Sequence, residues 1–146
     1  MKIEQVFLKG FRNYNNAVIN FNDNTLIIGE NDIGKTNLIY ALRLLLDRRL
    51  SDLDIEPSEL DFYANGDKKA LDLEILIKFS DIKEEAALSI LKENVSDDNE
   101  CFLKYVATKD KLDYQLFIGP SNDDLSEIQS RYYLKYINFS VHDKNR

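Results

Sequence analysis

Cysteine is almost missing from this 146-residue chain: Cys101 stands alone, so no internal disulfide can form and no cysteine-built zinc site exists. That usage fits a reducing compartment, and the thiol reads as a buried structural one. Long apolar runs are absent too. No stretch approaches the roughly 18 residues of a membrane span, and Met1-Lys2-Ile3-Glu4 lacks the apolar centre of a signal peptide. The expected location is cytoplasmic, with no membrane partner. Positive charge is in deficit, with 19 Lys and Arg against 26 Asp and Glu and a formal net charge of -7. That balance opposes a broad DNA-binding face on this chain alone. The basic candidates Arg43, Arg48, Arg49, Lys68 and Lys69 are scattered, and they read as solvated helix-end and turn charges. No internal repeat, low-complexity tract or linker divides the chain, so residues 1–146 read as a single lobe.

What is present is enough for a core: 44% of the residues are hydrophobic and 31% charged, the composition of a folded domain. Lys2 to Leu8 alternates, with Ile3, Val6 and Leu8 prominent, and predicts a strand ending at Gly10. Ala17 to Phe21 predicts a second strand, with Ile19 and Phe21 on one face, and Asn22-Asp23-Asn24 turns into a third, Thr25-Leu26-Ile27-Ile28. A helix is expected from Lys35 to about Arg49, because Leu38, Leu42, Leu45 and Leu46 recur at three- and four-residue spacing. Ser51 to Gly66 reads as an irregular connection with a helical turn at Ser58 to Phe62. Strict alternation then predicts a strand from Leu71 to Phe79, with Leu71, Leu73, Ile75, Ile77 and Phe79 facing the core. A helix from Ile82 to Asn94 follows, then a polar turn from Ser96 to Glu100. Phe102–Thr108 and Leu112–Ile118 flank Lys109-Asp110-Lys111 as a β-hairpin closed by Gly119-Pro120. Ser121 to Asp124 offers an N-cap for a short helix to about Leu134, with one more strand from Lys135 to Val141.

Between the third strand and the first helix runs Gly29-Glu30-Asn31-Asp32-Ile33-Gly34-Lys35-Thr36, a complete Walker A pattern in the strand-loop-helix setting it requires. Such a loop turns backbone N–H groups onto a phosphate at a helix N-terminus. Gly29 and Gly34 let the backbone approach phosphate oxygens, with Asn31, Asp32 and Ile33 in the loop between them. Lys35 supplies a cation for the β- and γ-phosphates, and the Thr36 hydroxyl takes one position on Mg²⁺. The implied ligands are a nucleoside triphosphate, ATP above all, and Mg²⁺. No Asn-Lys-x-Asp guanine motif occurs.

The order Phe7-Leu8-Lys9-Gly10-Phe11-Arg12-Asn13, a short β-meander, the Walker A loop with Asn37, and then Ala41-Leu42 resembles the start of an ABC-type ATPase head. The branch it resembles contains RecF, the SMC proteins and the OLD-family nucleases, and the wording Asn31-Asp32-Ile33-Gly34-Lys35-Thr36-Asn37 is most similar to OLD-family (Gabija-type) ATP-dependent endonucleases. The resemblance is strong over about residues 1 to 50 and weaker from 68 to 141. It implies an α/β P-loop NTPase fold: an ABC-ATPase-like N-terminal lobe with an antiparallel β-layer beside the Walker A strand and helix. It also implies that Arg12 contacts the phosphates or ribose, that Asn13 contacts nearby backbone, that Asn37 lies at the helix N-terminus, and that Tyr136-Ile137-Asn138-Phe139 falls near the Q-loop region.

Hydrolysis in such heads needs an apolar strand ending in Asp-Glu and a signature loop from a second head. Asp-Glu never occurs here, nor does Leu-Ser-Gly-Gly or a carboxylate-rich Toprim module. The chain therefore reads as the nucleotide-binding N-terminal part of a longer OLD-like ATPase and DNA endonuclease, in antiphage defence or DNA metabolism. Alternatives are an SMC- or RecF-like DNA-repair head without nuclease activity and a catalytically inactive assembly subunit. Expected partners are ATP, other heads by self-association, and DNA through the complete assembly, weak or none for this chain alone. No catalytic residue is assigned, and Asp61 and Asp72 are the first suspects should turnover be found.

Overall fold

The first strand carries an irregularity that its sequence already hints at, since Ile3 and Val6 are both apolar although an odd and an even position point to opposite faces. In the computed structural model, which describes residues 1–21 and 32–137, a register shift between Ile3 and Gln5 opposite the fifth strand returns both side chains to the core. This strand, β1 (Lys2–Phe11), forms a hairpin with β2 (Tyr14–Asn20). After helix α1 (Asp32–Leu46) come a 3-10 turn (Glu59–Asp61) and a small hairpin of β3 (Ala64–Asn65) and β4 (Lys68–Lys69). Then follow β5 (Asp72–Ser80), α2 (Glu85–Leu91) with a 3-10 turn (Lys92–Asn94), β6 (Cys101–Thr108), β7 (Asp113–Ser121), β8 (Asp124–Ile128) and a 3-10 turn (Tyr132–Lys135).

The six long strands form one antiparallel sheet in the order β2-β1-β5-β6-β7-β8. Register aligns apolar residues in rows across it. One row runs Ile19, Val6, Ile77, Leu103, Ile118, and the next runs Ala17, Leu8, Ile75, Tyr105, Leu116, Ile128. Helix α1 joins the same core through Leu38, Ala41, Leu42, Leu44, Leu45 and Leu46, while Lys35, Thr36, Asn37, Tyr40 and Arg43 stay partly or fully exposed. Cys101 is buried in this core, and burial pushes its thiol up to about 12. The expected structural thiol is found.

Side-chain hydroxyls and one guanidinium stitch the 47–62 connection to the sheet and helix. The Tyr105 hydroxyl donates to the Ile55 carbonyl at 2.6 Å and Tyr114 to that of Asp52 at 3.2 Å. Tyr133 donates to the Leu45 carbonyl at 2.7 Å. Arg131 donates to the carbonyls of Leu44 at 3.2 Å, Asp47 at 3.0 Å and Leu50. The Leu44 carbonyl at the end of α1 and two carbonyls just beyond it thus meet a cation, which also suits the helix dipole.

The structure departs from the sequence-based expectations at definite places. Helix α1 begins at Asp32 and ends at Leu46, three residues earlier at each end than expected, so Arg48 and Arg49 lie beyond it. Leu71 precedes β5 and is 70% exposed rather than on the core face. The second helix is shorter than Ile82 to Asn94, with Ile82 a buried anchor ahead of it. Gly119 and Pro120 do not close the hairpin; they continue β7. No helix follows Ser121: those polar residues turn β7 into β8, and Lys135 sits in a 3-10 turn instead of a strand. The predicted third strand and residues 138–141 lie outside the described residues. Among the described residues no helix is long and apolar enough to cross a membrane.

Candidate functional site

Asp32, Ile33, Gly34, Lys35 and Thr36 form the first turns of α1, with Gly34 buried, Lys35 half-buried and Thr36 exposed. Gly29, Glu30 and Asn31, the start of the Walker A pattern, lie outside the described residues. Gly34 is fixed from the β1–β2 hairpin: the Tyr14 hydroxyl donates to its carbonyl at 2.7 Å, and burial raises the Tyr14 pKa, keeping the phenol a donor.

Arg12 occupies the turn of that hairpin with a φ of 50°, a left-handed conformation that costs a residue with a Cβ about 1–3 kcal/mol. Its guanidinium is held from three directions. Nε and Nη2 each lie 3.0 Å from Asp61 Oδ1. Nη1 donates to Asn37 Oδ1 at 2.9 Å, and Asn37 Nδ2 donates in turn to Asn13 Oδ1 at 2.8 Å. The Tyr40 ring lies 3.8 Å from the guanidinium carbon, a cation–π contact. Burial first, and then the Asp61 charge, raises the Tyr40 pKa. The backbone follows the same line, since Arg12 N donates to the Asp61 carbonyl at 2.8 Å and Tyr63 N to that of Gly10 at 2.8 Å. Gly10 itself has a φ of 65°, and a Cβ there would run into the Asp72 carbonyl.

Arg12, Asn13 and Asn37, expected near one another only by resemblance, are thus joined by hydrogen bonds at the start of α1. Sequence reading missed Tyr14, Tyr40 and the role of Asp61. Only Asp61 left a signal, in its helical turn after Pro57-Ser58. Its second oxygen accepts from Ser58 N at 2.9 Å, so this carboxylate is engaged on both sides and not free to activate water. Among the other cations, Arg43 and Arg49 both pair with Asp47 at 3.0 Å, whereas Arg48, Lys68 and Lys69 are exposed.

An antiparallel sheet sharing its core with a helix whose first turns carry Gly-Lys-Thr is the arrangement of a P-loop NTPase fold. The AAA ATPase domain family matches residues 1–145, and the chain belongs to that family. Among curated proteins, it is 30% identical over 124 residues to Endonuclease GajA of Bacillus cereus, covering 82% of this chain and 21% of that protein. It is also 36% identical over 75 residues to the DNA replication and repair protein RecF of Acetivibrio thermocellus, covering 51% of this chain and 20% of RecF. The structural maintenance of chromosomes protein 3 of Saccharomyces cerevisiae is 31% identical over 119 residues, which are 80% of this chain and 10% of that protein. The chain therefore spans about a fifth or less of the length of these relatives. Two solved structures share the fold. One, described as structural biochemistry of ATP-driven dimerization and DNA stimulated activation of SMC ATPases, has a TM-score of 0.63 at 21% identity over 92% of this chain and 75% of its own. The SMC head domain from Thermotoga maritima gives 0.56 at 17% identity over 88% and 39%. The fold is that of an ABC-type ATPase head, as the sequence resemblance implied.

Proposed function

We propose that this chain is the ATP-binding N-terminal lobe of an OLD-family-like ATPase and DNA endonuclease. The observation that carries the reading is the start of α1, where Lys35 and Thr36 emerge beside a preset Arg12. Triphosphate oxygens would be held by Lys35, Arg12 and the loop from Gly29 to Gly34, and Thr36 would supply an oxygen to Mg²⁺. The residues present fit such a ligand: Lys35 and Thr36 stand in the first turns of α1, and Arg12 tolerates a strained turn to remain beside them. Bound Mg-ATP would supply the phosphoryl group for hydrolysis, which a complete head performs with residues beyond this lobe. The likeness to Endonuclease GajA supports an endonuclease parent; on this reading the complete protein serves antiphage defence or DNA metabolism in the cytoplasm, with heads that self-associate and reach DNA as an assembly.

The test is a titration of a fluorescent ATP analogue against wild type and Lys35→Ala. Removing the cation is expected to cost roughly 2–4 kcal/mol of binding. Equal affinities would remove the Walker A assignment. A second reading, an SMC- or RecF-like head without nuclease activity, is supported by the similarity to RecF and to structural maintenance of chromosomes protein 3. Downstream sequence separates the two: a Toprim module supports the nuclease, and a long heptad coiled coil supports the SMC reading.

A further inference from the structure

We propose that Asp61 is a positioning residue that holds Arg12 beside the first turn of α1 as a second preset cation for the ligand that Lys35 binds. This rests on the nucleotide reading above and extends it to a residue 49 positions from Arg12 in sequence.

Asp61 is only 3% exposed, yet nothing about joining its segment to the hairpin requires a buried charge. The backbone bond from Arg12 N to the Asp61 carbonyl and the bridge between Phe11 and Phe62 already make that join. A buried ion pair is a poor device for stability alone, and a left-handed turn position is better filled by Gly, Asn or Asp than by Arg. The arrangement therefore spends stability to keep a guanidinium in one place. That place is set from three directions: Asp61 fixes Nε and Nη2, Asn37 fixes Nη1, and Tyr40 fixes the plane. Asn37 directly follows Thr36, so the guanidinium is registered to the Walker A helix itself. The five N–H donors of a guanidinium are not exhausted by these bonds, and the Arg12 side chain keeps 27% of its surface exposed. Asp61 is thus a carboxylate that orients the cation without fully consuming it.

The experiment measures fluorescent ATP analogue affinity for wild type, Lys35→Ala, Asp61→Asn, Arg12→Lys and the Asp61→Asn/Arg12→Lys pair, with the Arg12 Nε–H resonance followed in ligand-free protein. Asp61→Asn keeps the shape and removes the charge; Arg12→Lys keeps the charge and removes the fork. Each is expected to weaken binding by about 3- to 10-fold, the net scale of one ordinary hydrogen bond, and the pair no more than Arg12→Lys alone. The Arg12 Nε–H signal, protected in wild type, is expected to exchange with water in Asp61→Asn before any ligand is added. Unchanged affinity in Asp61→Asn, or an independent additional loss in the Arg12→Lys background, would overturn the positioning role even where Lys35→Ala abolishes binding. Should Asp61→Asn fail to fold, unchanged affinity in Arg12→Lys overturns it equally. If Lys35→Ala binds as wild type does, the nucleotide reading fails first and this inference falls with it.

Discussion

Asp47 shows how one carboxylate can organise the far end of the Walker A helix. It accepts from the side chains of Arg49 and Arg43 and from the Arg49 amide at 2.9 Å, and its own side chain is 8% exposed. These bonds, those from Arg49 foremost, hold its pKa well below the ordinary aspartate range. A carboxylate whose folded pKa is depressed stabilises the fold above its unfolded pKa of about 4, and that stability fades as pH falls through the lower folded value. Wild type is therefore expected to lose stability steadily below about pH 4, whereas Asp47→Asn starts roughly 1 kcal/mol less stable at neutral pH because both arginine partners are partly solvated. Urea titrations of the two proteins from neutral pH down to about pH 2.5 check this: a gap between them that stays constant with pH rejects the assignment.

Among the elements, α1 depends on a residue beyond every strand. Arg131 donates to the carbonyls of Leu44, Asp47 and Leu50, and Arg131→Met should cost about 2–3 kcal/mol, the worth of charge-assisted bonds at a helix end. The loss should be visible as a lowered thermal midpoint, with nucleotide affinity little changed because the binding end of α1 is the opposite one. The helix and the central strands were legible in the sequence because their apolar spacing is long and regular: Leu38 to Leu46 and Leu73 to Phe79 needed no tertiary information. Position 71 continues the same alternation, but the sheet's covered face stops at Leu73, and periodicity does not show where a layer ends. Ser121 to Asp124 misled for another reason. Short polar side chains serve N-caps and turns by the same local hydrogen bonds, and only pairing with β7 decides between them. Pro120 fits inside β7 because the β7–β8 register shifts between Ile118 and Ser121, where its missing N–H breaks no ladder bond. In the candidate site, Gly34, Lys35 and Thr36 are visible in the sequence as part of a contiguous pattern and stand in the first turns of α1. Asp61, Tyr14 and Tyr40 are not visible there, because a carboxylate or a phenol is assigned to a site only by where the chain folds.

For the molecule as a whole, the net charge of -7 sets the expected behaviour toward DNA. Several of its cations are already spent on acids, as with Arg43, Arg49 and Lys78. Phosphate contacts dominate affinity for DNA and are lost steeply with salt, so this lobe alone should bind duplex DNA weakly or not at all near 150 mM, about physiological ionic strength. Fluorescence anisotropy with a labelled duplex tests it. Tight binding by the monomer that disappears when Arg48 and Arg49 are replaced would make that end of the lobe a DNA contact.

The sheet order has a consequence for how such a lobe is made. β1 sits between β2 and β5, and Lys2 is paired with Ser80, so the first strand synthesised waits for the last residue of β5. At ribosomal speeds of about 5–20 residues per second, the β1–β2 hairpin, complete at Asn20, stands for roughly 3–12 s with one long edge unpaired. Its residues Ile3, Val6 and Leu8 have no core to enter in that interval. Nascent chains arrested with only residues 1–66 outside the ribosome should be digested rapidly by protease and bind a hydrophobic-segment chaperone. Chains with residues 1–137 outside should resist the protease and release the chaperone, and equal resistance at both lengths would show that the hairpin folds without its later neighbour.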